Sequence, residues 1–227
     1  MANLEILMIT HNRLEYLKKA LPSVLNQTCG VSLTIWDNGS DKETIAYLRS
    51  MPVKVIYSPK NQSLAYVTNR VFLKEFKSEF VGKVDSDIIF PPDWIERIIA
   101  KHQEKHYGFL GGFHFRPEDI AELNPIIENG VWHKHHIGGN FIIRREDFKG
   151  YEGSAVWGLS EYQAEMGFPN GYLWNPILWI DHMEDARSEH YINTPEYNDY
   201  KKRTRGISLA TYQTGIVNYN YLKENTL

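Results

Sequence analysis

Lys83-Val84-Asp85-Ser86-Asp87 is the stretch on which the reading of this chain turns. It follows the apolar pair Phe80-Val81 and precedes Ile88-Ile89-Phe90, so two carboxylates stand where a buried strand reaches the surface. Two acids one residue apart repel each other unless a cation lies between them, and a divalent metal with phosphate oxygens is a common solution. The triplet therefore predicts a metal-nucleotide site at Asp85 and Asp87. Taken alone it also suits a solvated turn, so its meaning depends on the elements around it.

Upstream, Leu4 to Ile9 is an apolar run ending in Thr10-His11-Asn12-Arg13, followed by Leu14, Leu17, Leu21, Val24 and Leu25 at helical spacing. That predicts strand, loop, helix. Val31 to Trp36 alternates and meets Asp37-Asn38-Gly39-Ser40-Asp41, where Ser40 or Asp41 can cap a helix through Ile45 and Leu48. Val53 to Tyr57 reads as a third strand, broken by Ser58-Pro59-Lys60-Asn61, with a helix from Leu64 to Phe76. Phe80 to Val84 is the fourth strand. Strands alternating with helices imply an α/β fold, a three-layer α/β/α sandwich around a mainly parallel, mixed sheet. Ligands of such sheets collect beyond the carboxyl ends of the strands, where strand order reverses. Thr10 to Arg13, Asp37 to Asp41, Asn61 and Asp85 to Asp87 all fall at such ends, which gives the acidic triplet its context.

Downstream, Asp93 is placed to cap a helix through Ile95, Ile98 and Ile99, and Phe109 to Phe113 reads as a strand. Residues 114 to 136 read as irregular. Gly138-Gly139-Asn140-Phe141-Ile142-Ile143-Arg144-Arg145 is a glycine-led strand, where missing side chains let a ligand or another backbone come close. Gly158 to Met166 reads as a helix and Tyr172 to Ile180 as extended and aromatic. Thr194 to Arg205 is expected to be mobile, with a covering segment after it.

The 227 residues carry a net charge of −3, which offers no electrostatic case for nucleic acid or an anionic membrane. Six Trp and fourteen Tyr suit either a core or a carbohydrate site. The single Cys29 excludes an internal disulfide and a Cys-rich zinc site and agrees with a reducing compartment. No basic region precedes the first apolar run, and no apolar stretch reaches the roughly 20 residues that span a bilayer. The expectation is a cytoplasmic protein, in which the N-glycosylation tripeptides at Asn26, Asn38 and Asn61 are coincidental.

Assembled in order, these clusters resemble the family 2 glycosyltransferases, enzymes of the GT-A fold that use nucleotide-diphosphate sugars. The resemblance rests on Thr10 to Arg13, Asp37 to Asp41, Asn61 through Ala65 to Asn69, Asp85-Ser86-Asp87, and Gly138-Gly139-Asn140 through Arg144-Arg145, and covers roughly residues 4 to 185. It implies one GT-A domain over 1–227, with a nucleotide-sugar half at 1–105, an acceptor half at 106–190, and a mobile or covering segment at 191–227. It further implies inverting transfer of a sugar, from a donor expected to be UDP-linked, to a hydroxyl or other nucleophile.

By the same resemblance, Thr10, Asn12, Arg13, Asp37, Asn61, Asn69, Asp85 and Ser86 bind the nucleotide, with Asp37 accepting from the base and Asp85 facing the ribose or base. Asp87 and His182 hold Mn²⁺, or Mg²⁺, a suitable cation for oxygen-rich ligands with one imidazole. His190 is the rival to His182. Asp37 also suits a turn or helix cap, and Arg13 a helix-start surface residue. The general base falls at Glu161 in Trp157-Gly158-Leu159-Ser160-Glu161-Tyr162, where Tyr162 stands in place of the family's Asp. Glu161 equally suits a first-turn helix acid, and Glu165 is a weaker substitute. The His133, His135 and His136 group reads as a solvated or acceptor-contacting loop or a separate metal site. Lys201, Lys202, Arg203 and Arg205 read as a solvated face or as a basic loop closing over the diphosphate.

Two rivals remain. A sugar-phosphate nucleotidyltransferase needs a glycine-rich loop after strand one, which Thr10 to Arg13 lacks. A non-catalytic sugar- or nucleotide-binding module of the same fold fits the Tyr at 162.

Overall fold

The computed structural model describes residues 3–114, 125–153, 157–195 and 197–199. The chain divides into two compact units, Met1–His114 with Ile126–His182, and Phe115–Pro125 with Met183–Leu227. The first unit holds the sheet. Its strands are β1 (Leu4–Thr10), β2 (Ser32–Asp37), β3 (Lys54–Tyr57), β4 (Phe80–Asp85), β5 (Ile88–Ile89), β6 (Leu110–Gly111), β7 (Ile127–Glu128), β8 (Val131–Lys134), β9 (Phe141–Arg144), β10 (Asn170–Leu173) and β11 (Asp181–His182). The helices are α1 (Leu14–Leu25), α2 (Lys42–Ser50), α3 (Leu64–Arg70), α4 (Trp94–Glu104) and α5 (Trp157–Ala164).

The strands form one sheet in the order β3-β2-β1-β4-β9-β6-β10-β8-β7, and β11 pairs with β5 in a small second sheet. From β3 to β4 every pairing is parallel. Beyond β4 the sheet is mixed, because β9 runs antiparallel to both β4 and β6. Strand order reverses at β1, where β2 lies on one side and β4 on the other. The first four strands end on the same edge, and the loops after β1 and β4 flank the reversal.

Local chemistry explains the first helices. Tyr16, Leu17, Ala20, Leu21 and Val24 form the buried stripe of α1. Asp41, rather than Ser40, caps α2, its carboxylate accepting from Thr44 N at 2.9 Å. Asp93 occupies the N-cap position of α4 without a side-chain cap bond, its carboxylate lying 3.8 Å from Arg97 instead.

The long helix expected from Leu64 to Phe76 is α-helical only to Arg70 and continues as a π-turn through Val71–Glu75. The strand expected over Phe109 to Phe113 shrinks to Leu110–Gly111 with an isolated bridge from Phe113 to Trp179. Residues 127–134, expected to be irregular, form a hairpin. Asn129 (φ 52) and Gly130 (φ 73) both take left-handed backbone at its tip, the geometry that a tight Asn-Gly turn requires.

The aromatic wealth is largely core. Phe113 packs against Trp132, Tyr172, Trp174 and Trp179 with ring centroids between 5.0 and 5.5 Å. Each such ring removed from water contributes about 2 kcal/mol, which is enough to hold the short strands β6, β8 and β10 together. No helix among the described residues is long and apolar enough to cross a membrane.

In the second unit, Arg187 lies against Asp185, its Nη2 2.8 Å from Oδ2, and the Thr194 hydroxyl accepts from Tyr197 N at 3.2 Å to start a helical turn. The expected mobility of Thr194 to Arg205 falls largely on residues outside those described, as do Lys201, Lys202, Arg203 and Arg205.

Candidate active site

The loop leaving β1 has an unusual backbone. Asn12 (φ 57) and Arg13 (φ 59) are consecutive left-handed residues that are not glycine, a conformation costing about 1–3 kcal/mol each and kept where the surroundings enforce it. The enforcement is visible. Asn12 N donates to Ser40 Oγ at 2.8 Å, and Asn12 Oδ1 accepts from Asp41 N at 2.8 Å. His11 Nδ1 donates to Asn38 O at 3.1 Å, which leaves Nε2 to accept from Asn12 Nδ2 at 3.3 Å. Asn38 N in turn donates to Thr10 O at 2.8 Å. The loops after β1 and β2 are thus laced together.

Asn38 then ties in the loop after β3. Its Nδ2 donates to Asn61 Oδ1 at 2.7 Å and to Gln62 O at 3.0 Å, while its Oδ1 accepts from Gln62 N at 2.8 Å. Gly39 (φ +81) makes the approach possible, since a Cβ there would meet the Lys60 carbonyl carbon at 2.9 Å. Asp37, 1 % exposed, accepts from Ser40 N at 3.2 Å through Oδ1, and its Oδ2 is buried with no partner among the described residues. A buried acceptor left open in this way stands ready for a ligand donor.

The two acids of the triplet pair with different basic side chains of the protein. Arg13 crosses the strand reversal to form an ion pair and hydrogen bond with Asp87 Oδ2. Lys83 instead pairs with Asp85, Nζ to Oδ1 at 2.5 Å. Each carboxylate thus has a counter-charge from the chain itself, Arg13 for Asp87 and Lys83 for Asp85. Asp87 is 6 % exposed. Burial pushes its carboxyl up, but the Arg13 guanidinium, His182 and a backbone hydrogen bond outweigh burial and hold it below the usual carboxylate range. His182 arrives through the β11–β5 pairing, which sets it opposite Ile88, next to Asp87. His114 lies beside it with ring centroids 6.2 Å apart. The rival His190 belongs to the second unit, where its Nε2 lies 3.5 Å from Glu189.

Asn69 bonds both backbone groups of Tyr151, Nδ2 to O at 2.7 Å and N to Oδ1 at 3.1 Å. It borders an open cavity of about 370 Å³ lined also by Leu73, Lys149, Tyr151, Glu161 and Glu165. Glu161 is exposed on this cavity. Tyr162 accepts from Lys149 N at 2.7 Å and donates to Asp147 O at 3.0 Å, so its hydroxyl anchors the cavity wall. Burial raises the Tyr151 phenol above its ordinary value; Thr68 and Lys83 oppose the rise and Asp85 adds to it, so this wall backs onto the Asp85 corner.

His133 sits 3.8 Å from Glu128 across the hairpin, and His136 is held below its ordinary value by burial, Lys134 and His135. Among the described residues no group of three or more His, Cys, Asp or Glu side chains converges as a metal cluster. Sequence reasoning passed over Asn38, His114, Lys83, Gly139 and Asn140 as individual site residues. The signals among them were a lysine inside the apolar run Phe80 to Val84 and the paired glycines before Asn140.

The family model for "Glycosyl transferase family 2" matches residues 5–157, a span that runs from β1 through the acidic triplet to the start of α5. The chain belongs to glycosyl transferase family 2. Relatives include an uncharacterized glycosyltransferase of Haemophilus influenzae, 22% identical over 56% of this chain and 45% of its own length. Uncharacterized protein y4gI of Sinorhizobium fredii is 24% identical, over 87% of this chain and 27% of its own length. The chain thus spans less than half of these curated relatives.

Among solved structures, the mannosyltransferase PcManGT from Pyrobaculum calidifontis, in complex with GDP-Man and Mn²⁺, superposes with TM-score 0.68 at 15% identity, over 82% of this chain and 58% of that one. Residues 1–349 of TarS from S. aureus, in complex with UDP-GlcNAc, give TM-score 0.60 at 14% identity, over 90% of this chain and 65% of that one. The fold of this family 2 chain is therefore GT-A.

Proposed function

We propose that the chain is an inverting glycosyltransferase of one GT-A domain that moves a sugar from a nucleotide-diphosphate donor, UDP-linked, to an acceptor hydroxyl. The observation carrying this reading is the Arg13–Asp87 pair across the reversal between β1 and β4, with Asp85 and His182 beside it. An ion pair at the ligand edge of a parallel sheet is a pair poised for exchange. A diphosphate entering there offers Arg13 a doubly charged partner in place of one carboxylate, and Asp87 is then free to take another cation.

The solved relative with GDP-Man and Mn²⁺ supports a divalent metal in this reading. Asp87 and His182 fit such an ion as one oxygen and one imidazole ligand, leaving the remaining positions to phosphate oxygens and water. Bound there, it would supply positive charge against the leaving diphosphate. The chain's own groups do the rest. Asp37 Oδ2 accepts from the base, Asp85 faces the ribose, and the laced loops of Thr10, Asn12, Ser40, Asn38 and Asn61 hold the nucleoside pocket in shape. Glu161, on the cavity next to the Asp85 corner, takes the proton of the acceptor hydroxyl. Lys201, Lys202, Arg203 and Arg205 are proposed to close over the diphosphate.

The test is to incubate the protein with Mn²⁺ and a panel of UDP- and GDP-sugars, and to follow nucleoside diphosphate release with and without acceptors. Acceptor-dependent release that Asp87→Ala abolishes supports the reading. Nucleotide binding without release across broad acceptor panels would instead make the chain a binding module, for which the Tyr at 162 is the motivating feature. Unchanged metal-dependent UDP binding by Asp87→Ala would refute the metal assignment.

A further inference from the structure

Lys83 lies in the middle of β4 with its side chain 2 % exposed. An ammonium this deep is costly unless it is paired and hydrogen-bonded. Its Nζ donates to Asp85 Oδ1 at 2.5 Å and to Gly139 O at 3.1 Å. Asn140 closes the other side, with Nδ2 donating to Asp85 Oδ2 at 2.9 Å and Oδ1 accepting from Asp85 N at 2.7 Å. The two bonds together fix which end of the Asn140 amide is oxygen. Gly139 makes the arrangement possible, because a Cβ there would lie 2.9 Å from Lys83 Nζ and 3.0 Å from Asp85 Oδ2.

A carboxylate offers about four lone-pair sites. Lys83 and Asn140 occupy one on each oxygen, and the Asp85 side chain remains 35 % exposed. The open edge therefore presents two acceptor positions in a fixed plane, backed by a buried positive charge. That charge disfavours a second cation on Asp85, whereas two neighbouring hydroxyl donors fit it well.

We propose that Lys83, with Asn140 and Gly139, is a positioning device that presents Asp85 to the vicinal diol of the bound nucleotide's ribose and withholds it from the metal. The inference rests on the donor reading above. It adds the residues that make Asp85 a rigid acceptor.

The experiment is calorimetric titration, in Mn²⁺, of UDP and GDP and their 2′-deoxy and 3′-deoxy counterparts into the wild type and Lys83→Met. For the wild type the ribonucleotide is expected to bind about tenfold or more tighter than either deoxy form, the value of one or two hydrogen bonds to a charged acceptor. In Lys83→Met this ratio should fall to within about threefold of one, with the deoxy affinities themselves little changed. A lysine that only stabilises the strand would weaken all forms alike and leave the ratio intact, which would overturn the proposal. If Lys83→Met does not fold, Gly139→Ala and Asn140→Ser, which keep the ammonium, carry the same comparison and the same expectation. A wild type that binds the nucleotides without distinguishing ribose from its deoxy forms overturns this inference alone. One that binds neither UDP nor GDP overturns the donor reading as well.

Discussion

Replacing Arg13 by Met isolates the charge that faces Asp87, because Met at φ 59 carries much the same backbone cost as Arg. The two side chains are 22% and 8% exposed, so the pair is well shielded from water. Removing one partner of a buried pair costs about 3–5 kcal/mol. The partial exposure of Arg13 and the nearness of His182 put this case lower, at about 2–3 kcal/mol, or some 5–10 °C in Tm for a domain of this size.

The effect has a pH signature. In the wild type Asp87 is held below its ordinary range, so its contribution is full above the unfolded carboxyl value and is lost as pH falls through the folded one. Without Arg13, the largest influence that opposes burial is gone, and the carboxyl is expected to rise. The deficit of Arg13→Met should therefore open as pH climbs past about 4 and be complete near neutrality. Urea unfolding followed by Trp fluorescence, at about pH 4.5 and 7.5, measures it. Arg13→Met combined with Asp87→Asn should recover most of the loss at neutral pH. A single variant with the wild-type midpoint at neutral pH, or a double variant no more stable than the single, would refute the reasoning.

His102 is buried, donates from Nε2 to Ile142 O at 3.1 Å, and is pushed down to about 4 chiefly by burial. The unfolded state then binds the extra proton, so stability should fall by roughly 3 kcal/mol as pH drops from about 6.5 to 4. His102→Gln, which keeps a donor there, should lack that slope in the same urea series, and an equal slope would assign the acid loss elsewhere. Asn38→Ala removes four hydrogen bonds, three of them to Asn61 and Gln62 of the loop after β3 and one from Trp36, and should cost about 2–4 kcal/mol. Hydrogen exchange should quicken at Gln62 N, and unchanged protection there would contradict its role as the tie. Glu161→Gln should lower kcat by a hundredfold or more with donor KM little changed. A loss under threefold would move the base to another residue on the cavity, with Glu165 next to be tried.

The four strand-loop-helix units were legible because their signals are local. Apolar runs of strand length, helical spacing after Arg13 and Asp41, and turn residues after each strand all act within a dozen positions. The same logic should have found the hairpin, since Asn129-Gly130 is a strong turn signal between Ile127 and Trp132. Composition left the aromatic residues open between core and ligand site, since a ring's place depends on neighbours such as those around Phe113. Glycine-led Gly138-Gly139-Asn140 reads in sequence as a place where a ligand or another backbone comes close, whereas at Gly139 it is the side chains of Lys83 and Asp85 that come close, and Gly138 faces open space.

By itself, then, the sequence determined which residues stand at the carboxyl ends of strands, including Thr10 to Arg13, Asp37 and Asp85, because strand and helix periods are properties of short segments. Which of them meet was decided only by tertiary structure. Arg13 reaches Asp87 because β4 pairs with β1, and Asn140 reaches Asp85 because β9 runs back along β4. Those pairings depend on strand order, a property of the whole sheet that leaves no mark on the spacing of residues along any one strand.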